Sequence, residues 1–356
     1  MVYPTLEALE HADRTPYEGT RYGRRGTPTT FALEEAVATL EGGDHCVAVP
    51  SGLAAITTAL LAFLKAGDHL LMVDTTYGPV RRFCDVLLSG LGIETTYYDP
   101  LADVTPLLRD TTRVVYLESP GSLTFEVQDV PAAATAARAA GAVSILDNTW
   151  SAGLLLKPFA HGVDVSIQAA TKYLVGHSDV MLGTITTTAD TFLRVKRASA
   201  LLGTAVGPDD CYLGLRGMRT LSVRLPRHQE TALQVARWLA GRAEVTHVRH
   251  PAFGDCPGHA VWRRDFSGAN GLVTIVLQPA SKRALAAMLD GMKLFAMGYS
   301  WGGYESLIVP IDPAAARSAT VWPYSGPCLR LHCGLEDPAD LIDDLEQGFA
   351  RLHAAS

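Results

Sequence analysis

The sequence predicts an α/β protein with a large domain on a mostly parallel sheet and a smaller C-terminal α/β domain. Three observations lead there. From about residue 45, short β-rich runs alternate with helical segments, the pattern of strands joined by crossover helices. The chain has 356 residues, more than one compact core usually organises. A long helical stretch then separates the first set of strands from a second.

The elements follow in chain order. Residues 1–22 form a polar arm with acidic residues, so no signal peptide is expected there. The large domain is placed at 23–218. Its strands are expected at 46–49, 69–73, 113–117, 142–146, 163–167 and 181–186, with helices at 54–65, 80–89 and 132–140 between them. The stretch 208–239 reads as mainly helical, and the domains divide within it. The small domain, 219–356, is expected to carry strands at 245–248, 271–277, 293–297 and 329–333 and helices at 282–289 and 338–352. Gly and Pro cluster at 298–303 and 323–327, which predicts loops near a site.

Composition excludes several classes. Hydrophobic residues make up 48% and charged residues 19%, as in a protein with a large core. The net charge of −7, from 30 basic and 37 acidic residues, argues against binding a phosphate backbone as the main task. No apolar run has the length of a bilayer span; the run 53–64 is interrupted by threonine. Cys46, Cys84, Cys211, Cys256, Cys328 and Cys333 are scattered and contain no C-x-x-C pair. A disulfide framework and a thiolate zinc site are therefore both disfavoured, and a cytoplasmic location is expected. His247, His250, Cys256 and His259 invite a zinc reading, but their spacing matches no common ligand pattern and no metal is expected.

Five segments carry candidate chemistry. Asp147, in Leu146-Asp147-Asn148-Thr149, ends an apolar strand, and Lys172, in Ala170-Thr171-Lys172-Tyr173, follows another. In doubly wound folds ligands sit at strand C-termini. An acid and a lysine there suit pyridoxal 5′-phosphate (PLP), with the amine forming a Schiff base and the carboxylate keeping the pyridine nitrogen protonated. A structural ion pair is the alternative. Ser51, Gly52 and Leu53 mark a strand-to-helix turn whose N–H groups could face an anion, or simply an N-cap. Tyr77 at a strand end could lie on a heteroaromatic ring, or be a turn tyrosine. The segment Tyr22-Gly23-Arg24-Arg25-Gly26-Thr27-Pro28-Thr29 could bind phosphate through arginine forks, or be a solvated loop. Arg330 interrupts an apolar strand, downstream of Tyr299-Ser300-Trp301. It needs a partner, either a substrate α-carboxylate or a buried acidic residue.

Taken together, YGRRGT from Tyr22, LESPGS from Leu117, LDNTW from Leu146, SIQAATKYLVGHSD from Ser166, YSWGGYES from Tyr299 and RLHCGLED from Arg330 resemble the Cys/Met-metabolism family of PLP enzymes. That family holds the cystathionine lyases and synthases and methionine γ-lyase, and the sequence is most similar to its bacterial cystathionine β-lyase branch. The resemblance runs from about Tyr22 to the C-terminus. It implies a type I, aspartate-aminotransferase-like fold and a homotetramer of dimers with shared active sites. It implies that Lys172 is Schiff-base lysine and proton shuttle, that Asp147 pairs with the pyridine nitrogen, and that Tyr77 stacks on the ring and takes part in catalysis. Gly52, Leu53 and Thr171 would hold the phosphate, and Tyr22 and Arg24 would reach the phosphate of the neighbouring subunit. Ser300 and Arg330 would hold the substrate carboxylate, with Tyr299 and Trp301 shaping the pocket. The implied reaction is α,β-elimination of L-cystathionine to homocysteine, pyruvate and ammonia. Alternatives are a γ-lyase, γ-synthase or methionine γ-lyase, a cysteine or cystine desulfhydrase, or a PLP-fold regulatory protein. A Rossmann dehydrogenase is disfavoured because no G-x-G-x-x-G follows a strand. Three departures from the family pattern stand out: Ala169 and Ser122 occupy positions where many members have serine and asparagine, and the arm before Tyr22 is shorter than usual.

Overall fold

The computed structural model describes residues 2–15, 17 and 19–356, so positions 1, 16 and 18 of the N-terminal arm lie outside the described residues. The chain begins with α1 (Leu6–Arg14), capped by the Thr5 hydroxyl, and α2 (Pro28–Glu41), capped by Thr27 with proline in its first turn. Then come β1 (His45–Val49), α3 (Gly52–Phe63), β2 (His69–Val73) and α4 (Gly78–Arg82). The segment expected as one helix at 80–89 widens after α4 into a π-helical stretch over Phe83–Leu88. There follow β3 (Glu94–Tyr98), β4 (Thr112–Glu118), α5 (Val130–Ala139), β5 (Val143–Asp147), β6 (Val165–Gln168), β7 (Gly183–Thr187) and α6 (Ala189–Leu202).

These seven strands form one sheet in the order β1-β7-β6-β5-β4-β2-β3. Its pairs are parallel except where β7 meets β1 and β6. Five strands, β1, β2, β4, β5 and β6, end at the edge of the sheet where the candidate residues begin. The inner strands are mostly buried, which explains the apolar runs Leu70–Val73 in β2 and Val114–Leu117 in β4. The edge strand β3 has the sequence Glu-Thr-Thr-Tyr-Tyr and is half-exposed, so it carries no such run.

Two helices, α7 (Pro208–Met218) and α8 (Leu221–Ala240), lead into the second sheet. The remaining elements are β8 (Val245–Arg249), α9 (His259–Asp265), β9 (Leu272–Leu277), α10 (Lys282–Asp290), β10 (Ala296–Met297), β11 (Leu307–Ile311), β12 (Cys328–His332) and α11 (Pro338–Ala354). The strands order as β10-β11-β12-β9-β8. The strand expected at 293–297 shrinks to two residues because the Asp344 carboxylate accepts the N–H groups of Lys293, Leu294 and Phe295. Each sheet has its own apolar core, and α8 serves both: Leu221 and Leu225 join the first, Ala232, Val235 and Leu239 the second.

Polar contacts stitch the 312–327 connection to the large sheet. The buried Asp74 carboxylate, just past β2, accepts from Arg81, from the backbone of Ser318, Ala319 and Thr320 and from the Thr320 hydroxyl. Burial alone would raise its pKa, but these donors outweigh it and hold the group below 3.8. Arg317 makes a second tie to Glu126 at 2.8 Å, with both side chains buried.

Candidate active site

The strand ends gather most of the candidate residues. Lys172 lies in the turn between β6 and β7, where its N–H bonds Ala169 O at 3.0 Å and its carbonyl accepts Gly176 N–H at 2.8 Å. Its Nζ donates to Ser300 Oγ at 2.7 Å and lies 5.4 Å from the Trp301 ring centre. Burial, followed by the Arg330 charge, lowers the Lys172 pKa to about 8. An amine in that range is partly neutral near physiological pH, as a nucleophile or base requires.

Asp147 ends β5 opposite Glu118, the last residue of β4, in direct parallel register. Both Thr149 N–H, at 3.0 Å, and Thr149 Oγ1, at 2.5 Å, donate to Asp147 Oδ1. The Thr149 hydroxyl also accepts from Ala169 N–H, tying the β5 and β6 ends together. Burial raises both carboxyls, and each sits in the field of another acid. Glu118 Oε2 accepts the Tyr77 N–H at 2.7 Å and the Thr76 hydroxyl at 3.3 Å, which fixes the backbone from which the half-exposed Tyr77 ring projects. The Tyr77 hydroxyl pKa is raised by burial and then by Glu118 and Asp147, against the opposing charge of Arg330.

The first turn of α3 faces the same edge. Ser51 is an N-cap, its Oγ accepting Ala54 N–H at 3.1 Å. The N–H groups of Gly52 and Leu53 have no acceptor among the described residues, as expected of a helix N-terminus. Glycine is required at 52: a Cβ there would stand 2.4 Å from Ala169 Cβ. The Thr171 hydroxyl accepts from Leu182 N–H at 2.8 Å and lies 3.1 Å from Leu182 O, so it is already engaged by the backbone.

Arg330 projects from β12. Its Nη2 donates to the carbonyls of Tyr299 and Ser300 at 2.7 and 3.1 Å, while its buried Nε has no partner. No carboxylate among the described residues pairs with Arg330, and no cation pairs with Asp147 or Glu118. Burial lowers the Arg330 pKa to about 10, with Tyr77 and Tyr173 opposing the shift. A buried cation without an anion and buried acids without a cation, around one depressed lysine, leave room for a ligand carrying the opposite charges.

Two candidates stand apart. Tyr22 is exposed and stacks with Arg24 at 5.8 Å, and Arg24 donates to Ala200 O on α6. Neither contacts the Lys172 cluster within the chain. The histidines and cysteine of the zinc pattern have other partners: His247 packs on Tyr324, Cys256 contacts Phe125 O, and His259 bonds Pro251 O. No group of three or more ligating side chains among the described residues is arranged for a metal. Sequence reading had not singled out Glu118, Thr149 or His332 for a role, although all three lie inside quoted motifs.

An amine, two unpaired acids and an open helix N-terminus at one sheet edge fit the charges of PLP: an aldehyde for the amine, a pyridinium for the acid and a phosphate for the helix. The chain belongs to the Cys/Met metabolism family of PLP-dependent enzymes, whose pattern matches residues 5–350. It is 48% identical to cystathionine beta-lyase MetC of Escherichia coli (strain K12), over 99% of this chain and 91% of that one. It is 42% identical to an L-alanine/L-glutamate racemase of Wolbachia pipientis wMel, over 93% of this chain and 83% of the relative. The crystal structure of cystathionine gamma synthase from Xanthomonas oryzae pv. oryzae superposes with a TM-score of 0.89 at 33% identity, covering 95% and 89% of the two chains. The protein is thus an enzyme of the type I PLP fold, with pyridoxal 5′-phosphate as its cofactor.

Proposed function

We propose that the protein is a carbon–sulfur lyase that cleaves L-cystathionine by α,β-elimination. The observation that carries the β assignment is Trp301, whose ring lies 5.4 Å from the Lys172 amine and narrows the approach to it. A bulky wall there restricts the distal substrate chain and favours bond breaking at Cβ over the longer reach to Cγ. Several relatives at 43–48% identity are named cystathionine beta-lyases, which supports the same reading.

Bound PLP supplies an electron sink that makes the substrate Cα–H bond acidic. Lys172 would hold the cofactor covalently and, once freed by the substrate amine, would take the Cα proton. Asp147 would keep the cofactor ring nitrogen protonated, and Tyr77 would pack against the ring. The Gly52 and Leu53 N–H groups would hold the phosphate, and Thr171 would join them by turning its proton from Leu182 O. Arg330 and Ser300 fix the α-carboxylate so that the Cα–H bond faces the Lys172 amine. Loss of the proton breaks the Cβ–S bond and releases homocysteine, while the three-carbon fragment is hydrolysed to pyruvate and ammonia. Tyr299 and Trp301 shape the pocket.

The assembly proposed is a homodimer in which Tyr22 and Arg24 complete the partner's phosphate site, with two dimers forming a tetramer. Their separation from Lys172 within the chain supports this. An arm at 1–22, a cofactor domain at 23–218 and a small domain at 219–356 are the units proposed. The cytoplasm is the proposed location, supported by six buried, unpaired cysteines. No described helix is long and apolar enough to cross a membrane.

The racemase relative motivates a second reading. Racemisation shares the Cα proton removal and differs only in returning a proton from the opposite face. Incubation with L-cystathionine and, separately, L-alanine decides: pyruvate plus homocysteine supports the β-lyase. 2-Oxobutyrate plus cysteine would make it a γ-lyase, and D-alanine without keto acid a racemase.

A further inference from the structure

We propose that His332 is a positioning residue that holds the Ser300–Trp301 loop against Lys172 and so sets how tightly the distal arm of the substrate is gripped. This rests on the lyase reading above for the substrate, but the contacts themselves are independent of it.

Successive side chains of a strand alternate between faces, so Arg330 and His332 point to the same side of β12. Together they face four backbone groups of the loop and bind three of them at a time, since His332 Nε2 serves one of its two neighbours in each tautomer. Arg330 takes the carbonyls of Tyr299 and Ser300. His332 Nε2 lies 3.0 Å from Gly302 N and 3.1 Å from Gly303 O. The residue bracketed by these contacts is Trp301, whose ring packs 5.4 Å from Tyr173 as well as facing the amine.

The loop has no slack on its other side. Gly302 adopts φ +85°, and a Cβ there would come within 2.9 Å of the Lys172 carbonyl carbon. The loop backbone thus rests on the lysine's own backbone, with the imidazole behind it. His332 is fully buried, and burial, then the neighbouring His228, pushes its pKa well below 6.5. The ring is therefore neutral, and in either tautomer Nε2 ties the loop, accepting from Gly302 N–H or donating to Gly303 O. His228 packs 5.1 Å behind it and is anchored to Cys333 O at 2.9 Å, so the imidazole is held from the rear.

The test is a double-mutant cycle of His332→Leu and Trp301→Ala in the PLP-loaded enzyme, with L-cystathionine and L-cysteine as substrates. His332→Leu is expected to lower kcat/KM for cystathionine about tenfold and for cysteine less than about threefold, because a misplaced wall matters most to the long arm. In the Trp301→Ala background the same change should add nothing. His332→Gln, whose amide reaches the Nε2 position, should restore most activity, whereas the shorter His332→Asn should not; this pair serves if the leucine variant does not fold. Hydrogen exchange over residues 299–306 gives a readout apart from turnover, with faster exchange expected in His332→Leu and His332→Asn. Equal losses on both substrates, additive effects in the double variant or unchanged exchange would overturn the proposal. Wild-type enzyme that makes no pyruvate from cystathionine would refute the lyase reading instead, leaving the exchange result to judge the loop contact.

Discussion

Replacing Arg330 by lysine separates a substrate-binding arginine from a structural one. Arg330 is buried, its Nη2 bonds two carbonyls, its Nε has no partner, and no acidic side chain among the described residues neutralises it. A substrate carboxylate would meet a two-pronged donor, and an ammonium offers only a point charge in its place. A charge-assisted hydrogen bond contributes roughly 1.5–3 kcal/mol, and losing the fork removes about one such bond and misplaces the other. At 1.36 kcal/mol per tenfold, a loss of about 2–3 kcal/mol lowers kcat/KM by about 30- to 160-fold. Stability should respond differently. Breaking a structural buried ion pair costs about 3–5 kcal/mol, whereas Arg330→Lys surrenders only bonds to the carbonyls of the exposed Tyr299 and Ser300 and should stay within about 1 kcal/mol of wild type. The assays are steady-state kinetics on L-cystathionine and denaturant unfolding of the cofactor-free protein. Unchanged kcat/KM with a large stability loss would refute the assignment and make Arg330 a structural residue.

Further expectations follow from the same geometry. Lys172→Ala should abolish turnover while leaving the circular dichroism spectrum intact; substantial lyase activity with added PLP would contradict the assignment. The rate at which apoenzyme captures PLP should rise with pH through an inflection near the Lys172 pKa of about 8, because only the neutral amine attacks the aldehyde. Arg330→Gln should move that inflection upward, since a positive neighbour disfavours the ammonium; a downward shift would refute the electrostatic account. Mixed Lys172→Ala and Arg24→Ala chains should regain some activity through hybrid sites, and properly exchanged hybrids that stay inactive would dismiss the shared site. Asp74→Asn should destabilise the protein by about 2 kcal/mol through unpaired donors around the lost carboxylate. Because the folded Asp74 pKa lies below 3.8, its contribution is present above that pH and is lost as pH falls through the folded value. The variant should therefore lose less stability than wild type in that acid window.

What the sequence disclosed follows from where burial is complete. Strand β2 was legible to the residue because all five of its positions are buried and apolar or, at His69, hydrogen-bonded between threonines. Strand β3 was not, since an edge strand of threonine and tyrosine shows no apolar run. Strand β11 was hidden by Pro310, which reads as a breaker but sits exposed in the ladder opposite Leu329. Helix α2 was missed because its capping Thr27-Pro28 looked like the end of a loop. Asp147 and Lys172 stood out because each follows an apolar run that ends at the sheet edge. Glu118 and His332 did not, because their importance depends on register with Asp147 and on a loop 30 residues before His332 in sequence.

The ties at Asp74 and Arg317 bear on how this enzyme can change. They join the small sheet to the large one a few residues from Tyr77, so the two sheets are bridged by buried polar contacts beside the candidate site. Descendants of this chain could acquire new substrates by exchanging side chains at 299–301 without rebuilding the scaffold. They could do so only while Gly302 stays glycine, since any larger residue would push the loop off the lysine on which it rests.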